Sequence, residues 1–77
     1  MQVDGNVAII TGGASGLGAG AARELAKAGG QIAIWDIQED KGLEIAKEVG
    51  GVFCNCDVTS EESVIAAMEE TKEALGV

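Results

Sequence analysis

The chain has 77 residues, a formal charge of −8, and neither His nor Tyr. That length suits one small domain, but not a nucleotide half-site together with a substrate site. Thirteen acidic residues against Arg23 and four lysines repel nucleic acid and anionic membranes, and few side chains remain to exchange a proton near neutral pH.

Met1-Gln2-Val3-Asp4-Gly5-Asn6 carries an acid and no basic stretch, and the apolar run behind it soon meets glycines. The sequence therefore predicts neither a secretion signal nor a membrane span, and a soluble, cytoplasmic protein. Val7–Thr11 reads as a first strand, Gly16–Ala28 as a helix, Gln31–Asp36 as a second strand, Asp40–Val49 as a second helix, Val52–Cys56 as a third strand and Ser60–Leu75 as a third helix. The strands are almost continuously apolar, as expected when helices cover both faces of a parallel sheet. Right-handed crossovers then give the strand order 3-2-1 of a Rossmann-like, doubly wound α/β fold. Ala74-Leu75-Gly76-Val77 stops where a fourth strand is due. Residues 1–77 are thus expected to be a partial domain lacking strand four onward, with the outer edge of strand one exposed.

Within the first helix, Leu17, Ala21, Leu25 and Ala28, joined by Ala22 and Ala26, form a small-residue stripe expected to lie on the sheet, and Gly29-Gly30 ends the helix. Gly42 lies inside the second helix, where it costs about 1 kcal/mol relative to Ala without an evident functional reason. In the third helix Thr59 and Glu62 match a capping box, and Val64, Ala67, Met68, Thr71 and Leu75 form an inward face. Cys54 and Cys56 sit two apart on one strand, which disfavours a disulfide between them. With no His and no further Cys, they read as buried thiols and no metal set is predicted.

The chemistry concentrates where the strands end. In Thr11-Gly12-Gly13-Ala14-Ser15-Gly16-Leu17-Gly18, Gly12 permits a sharp exit from the strand, Gly16 lets a pyrophosphate approach the backbone, and Gly18 lets helix and strand pack closely. Ser15 can donate its hydroxyl to a phosphate oxygen, Thr11 can tie down the loop, and Leu17 opens the helix whose amides face the phosphate. A mononucleotide NTPase loop would need Lys and then Ser or Thr after the last glycine, and Gly18 is followed by Ala19-Gly20. Asp36, 20 residues past Gly16, can accept both ribose hydroxyls. A 2′-phosphate would meet like charge there, and neither Ser15 nor Ile37 is a base that could compensate, so NAD is favoured over NADP. Cys56 closes the third strand, and Asp57 and Val58 follow it at the same rim. The Asp57 carboxylate can accept from an adenine amino group and the Val58 amide can donate to the ring.

These residues resemble the amino-terminal third of the short-chain dehydrogenase/reductase family. The pattern Thr11-Gly12-x-x-x-Gly16-x-Gly18, the strand-end Asp36 and the Asp57-Val58 pair all carry the likeness. The stretches 10–18 and 56–61 are similar to the family's type 2 3-hydroxyacyl-CoA dehydrogenase branch, with Leu17 where most members carry Ile. The resemblance implies NAD-dependent hydride transfer between an alcohol and a ketone, possible acyl-CoA substrates, and a homo-oligomer, usually a tetramer. It also implies that the Asn-Asn-Ala-Gly segment, the catalytic Ser and the Tyr-x-x-x-Lys pair lie after residue 77. No catalytic residue is therefore assigned here. Two other functions fit the same residues: a dinucleotide-binding sensor without catalysis, and a fragment that completes a fold with a partner chain.

Overall fold

The computed structural model describes Gln2–Val3, residues 7–13 and residues 15–76. The elements are β1 (Gln2–Val3), β2 (Val7–Thr11), α1 (Gly16–Lys27), β3 (Gln31–Asp36), α2 (Glu39–Val49), β4 (Val52–Asn55) and α3 (Glu61–Leu75). They form one sheet in the order β1-β2-β3-β4. β2, β3 and β4 are parallel, with Val7 opposite Gln31 and Ala33 opposite Val52, so the expected 3-2-1 order of the first three long strands holds. The expectation of an exposed outer edge needs correction: β1 pairs antiparallel there, with Gln2 opposite Ala8 and Val3 opposite Val7. Two residues of extended backbone suffice for this rung, and hydropathy periodicity does not register so short an element.

The two faces of the sheet carry separate apolar clusters. Ala8, Ile32 and Ile34 meet Ala19 and Ala22 of α1 and Ile45 and Ala46 of α2 on one face. Ile9, Ala33, Trp35, Cys54 and Cys56 meet Ala67 of α3 on the other. Successive strand residues point to opposite faces, so a strand clothed on both sides must be apolar throughout. β3 shows the result, with Ile32, Ala33, Ile34 and Trp35 all apolar and buried before the strand ends on Asp36. Each fully buried Ile or Val contributes about 1.5–3 kcal/mol.

Of the stripe expected on the inner face of α1, Ala22 and Ala26 do pack on the sheet cluster, but Leu17, Ala21, Leu25 and Ala28 are turned outward. Leu17 is 92% exposed and Leu25 40% exposed, while Ala19 and Ala22 are the buried positions. The inner face runs through Ala19, Ala22 and Ala26, and it adjoins the leucine side of the helix across small residues that give hydropathy little contrast. Arg23 on α1 and Glu48 on α2 pair across the surface, with Nη2 to Oε1 at 3.1 Å. In α3 the inner face is as expected, with Ala67 and Thr71 buried, but the cap moves one residue. Ser60 accepts from the Ser63 amide, and Thr59 instead bonds Asp57.

Gly42 has a packing reason. A Cβ there would lie 2.1 Å from Cε1 of Phe53, so the missing side chain lets α2 settle on β4.

Candidate functional site

β2 ends at Thr11 and the chain turns at once through Gly12, whose φ of +67° is a left-handed conformation that side chains resist. The Gly12 amide donates to the Trp35 carbonyl at 2.9 Å, which ties the turn to the strand alongside. Gly13 is buried, and a Cβ on it would meet Ile34 Cγ2 at 2.7 Å. Gly18 faces the turn from the helix: its Cβ would stand 2.4 Å from the Gly12 carbonyl oxygen. Gly16 is different, because a Cβ there would meet nothing within 4 Å and would project into open space.

Ser15 closes this loop. It is the N-cap of α1, its Oγ accepting from the Gly18 amide at 3.2 Å while its hydroxyl donates to the Gly12 carbonyl at 2.8 Å. Ser15 therefore ties down the loop, and in this structure its proton is directed at backbone. A helix start leaves four amides that no helical carbonyl can reach. Here the Ser15 amide bonds the Gly12 carbonyl and the Gly18 amide bonds Ser15 Oγ. The Gly16 and Leu17 amides are the other two, both on exposed residues at the positive end of the helix dipole.

Asp36 ends β3 and is 8% exposed. Its Oδ1 accepts from the Gln38 amide at 2.9 Å, an Asx turn that holds the carboxylate at the strand end. Its carbonyl accepts from the Cys56 amide at 3.2 Å, extending the β3–β4 ladder one step beyond β4. Asp57 then enters a second Asx turn, with Oδ1 accepting from the Thr59 hydroxyl at 2.6 Å and the Thr59 amide at 2.9 Å. Those two bonds, the hydroxyl's first, hold the Asp57 carboxyl below its usual range. Its amide donates to Ser63 Oγ at 3.0 Å.

These three strand ends border one hollow of about 290 Å³, lined by Gly12, Trp35, Asp36, Ile37, Cys56, Asp57, Val58 and Thr59. Ile37 and Val58 are its exposed apolar members and Cys56 is buried. Six of the residues singled out in the sequence therefore share one cavity: Gly12, Asp36, Ile37, Cys56, Asp57 and Val58. Ser15, Gly16, Leu17 and Gly18 form the adjoining helix start and are not among its lining. Trp35 and Thr59 were not anticipated, although each directly neighbours a residue that was. A second hollow between α1 and α2, about 330 Å³, is lined by Arg23, Ala26, Lys27, Glu48 and Val49 and collects no acid or glycine from the strand ends. Cys54 and Cys56 are free thiols, and burial pushes the Cys54 thiol up. Among the described residues no metal-binding cluster occurs, and no helix is long and apolar enough to cross a membrane.

A parallel sheet covered on both faces, with a glycine turn and two acids gathered at the carboxyl ends of its strands, defines a Rossmann-like doubly wound segment. The chain belongs to the short chain dehydrogenase family, whose model matches residues 6–77. It is 47% identical over 72 residues to 3-hydroxyacyl-CoA dehydrogenase type-2 of Drosophila melanogaster, covering 91% of this chain and 28% of that protein. It is 44% identical over 79 residues to short-chain dehydrogenase reductase 3a of Arabidopsis thaliana, covering 99% of this chain and 31% of that protein. Among solved structures it matches 3-ketoacyl-(acyl-carrier-protein) reductase from Brucella melitensis complexed with NADH, at 34% identity and a TM-score of 0.89, over 94% of this chain and 30% of that one. It also matches 3-hydroxyacyl-CoA dehydrogenase type-2 from Mycobacterium avium, at 38% identity and a TM-score of 0.79, over 88% of this chain and 28% of that one. The chain thus spans under a third of the length of these relatives, and they carry more than one substrate name.

Proposed function

We propose that this segment is the NAD(H)-binding part of an oxidoreductase that exchanges a hydride with a secondary alcohol or ketone. The observation that carries this reading is the single hollow joining the glycine turn to Asp36 and to the Asp57-Val58 pair. The residues fit the cofactor: Gly16 presents open space where a side chain would stand, and it and Leu17 are exposed in the first turn of the helix.

In this assignment the Gly16 and Leu17 amides donate to the pyrophosphate. Gly12, Ser15 and Gly18 shape the loop that presents them. Asp36 accepts the adenosine ribose hydroxyls. Asp57 and the Val58 amide read the adenine edge, with Ile37, Cys56 and Val58 supplying apolar wall. When bound, the nicotinamide ring accepts or releases the hydride. None of the eight lining residues is basic, so nothing among them offsets a 2′-phosphate beside Asp36.

We further propose that residues 1–77 are one portion of a larger cytoplasmic domain whose proton-transferring residues lie outside them, and that the whole enzyme is a homotetramer. A 3-hydroxyacyl-CoA or 3-ketoacyl-CoA substrate is the finer reading, supported by the Drosophila and Mycobacterium avium relatives. The decisive experiment compares NADH and NADPH binding for the full chain and Asp36→Ala. The native chain is expected to prefer NADH, and Asp36→Ala to lose most of that preference. An unchanged preference in the variant would remove Asp36 from its role.

A further inference from the structure

Trp35 makes hydrogen bonds at both ends. Its carbonyl accepts from the Gly12 amide at 2.9 Å, and its indole Nε1 donates to Thr71 Oγ1 on α3 at 3.0 Å, where both side chains are buried. Thr71 Oγ1 lies 3.6 Å from Cys54 Sγ, and Cys54 Sγ lies 3.9 Å from the Ala67 carbonyl. Donors and acceptors can run in one direction along this path, from indole to hydroxyl to thiol to carbonyl, so the Thr71 hydroxyl and the Cys54 thiol each give one hydrogen and receive one.

A buried indole N–H needs a partner, and Thr71 is the partner it has. We infer that Thr71, which does not line the hollow, is a positioning residue for it: by anchoring Trp35 from α3, it fixes the peptide that carries both the hook for Gly12 and the Asp36 carboxylate. This role rests on the cofactor reading above. Trp35 is the last β3 residue paired with β2, through Thr11, and past it the ladder to β4 holds only the Asp36–Asn55 pair and the Cys56 amide bond to the Asp36 carbonyl. The ladder thins from that point on, and a side-chain anchor has leverage. A shift of the Trp35 peptide would pass to Gly12 through its carbonyl and to Asp36 through the chain.

The test measures NADH and NADPH dissociation constants by calorimetry for the full chain, Thr71→Val, Thr71→Ser and Trp35→Phe. Thr71→Val keeps the volume and removes the acceptor, and Trp35→Phe removes the donor from the other end. Both are expected to weaken NADH binding by roughly three- to tenfold and to narrow the NADH-over-NADPH ratio, while Thr71→Ser restores both. A variant that merely lowers the folded fraction weakens both nucleotides equally and leaves the ratio alone. Equal loss for the two nucleotides, native binding by Thr71→Val, or a Ser variant as impaired as the Val variant would each overturn the role. If Thr71→Val fails to fold, Trp35→Phe decides by the same ratio. An unsubstituted chain that binds neither nucleotide overturns the cofactor reading itself, and that result is read without any variant.

Discussion

A methyl group on Gly18 would stand 2.4 Å from the carbonyl oxygen of Gly12 and 2.8 Å from the Gly13 Cα. Both neighbours are backbone, and Gly12 is held by its bond to Trp35 and by its left-handed φ, so neither can move without reshaping the turn. Gly18→Ala is therefore expected to destabilise the protein by roughly 1–3 kcal/mol and to weaken NADH binding. Gly16→Ala, with open space around its Cβ, should leave stability near native and weaken NADH binding alone. Urea unfolding beside nucleotide titration separates the two effects.

Gly42 and Phe53 are in a similar relation, with a side chain as the obstacle. Alanine on an exposed helix gains about 1 kcal/mol over glycine, but a Cβ at 42 would collide with the Phe53 ring. Gly42→Ala is expected to destabilise by roughly 1–3 kcal/mol. In a Phe53→Leu background the same substitution should become neutral or favourable. A double-mutant cycle by denaturant unfolding measures the coupling, and independent effects would show that the ring rotates away freely.

The sequence made the strand order and the gathering of Gly12, Asp36 and Asp57 legible because each depends on a strong local signal: an apolar run closed by a glycine or an acid. The contents of the loop were less visible. A serine hydroxyl can both donate and accept, and only the folded turn shows the Ser15 proton on Gly12 and its oxygen under the Gly18 amide. The inward face of α1 is only half legible, Ala22 and Ala26 on it but Leu17 and Leu25 off it, because alanines and glycines surround that helix on most sides and give hydropathy little contrast. Thr71 was placed on the inner face of α3, but its link to Trp35 joins residues 36 positions apart and leaves no periodic trace.

The orientation of α1 is directly testable with one pair of substitutions. Ala22 is fully buried against the sheet, whereas Ala21 is exposed. Ala22→Leu must force three extra carbons into a packed face and is expected to destabilise by roughly 1–3 kcal/mol. Ala21→Leu should change stability by no more than about 0.5 kcal/mol. Thermal or urea unfolding of the two variants gives the answer, and the reverse order would put the Leu17, Ala21, Leu25 and Ala28 side of the helix on the sheet instead.

The Asp57 turn predicts a pH effect with a definite sign. The Thr59 hydroxyl and then its amide stabilise the charged carboxylate, so the folded-state pKa lies below the ordinary value of 3.8. A group depressed in this way contributes stability above its unfolded pKa and loses that contribution as pH falls through the folded value. The turn should therefore be intact throughout neutral and mildly acidic conditions and weaken only below the usual carboxylate range. Thr59→Val deletes the hydroxyl but keeps the amide, so the Asp57 titration midpoint should rise part of the way toward 3.8. Carboxyl carbon shifts followed by NMR across the acid range report that midpoint residue by residue, and a midpoint unmoved in Thr59→Val would show that the hydroxyl bond does not hold in solution.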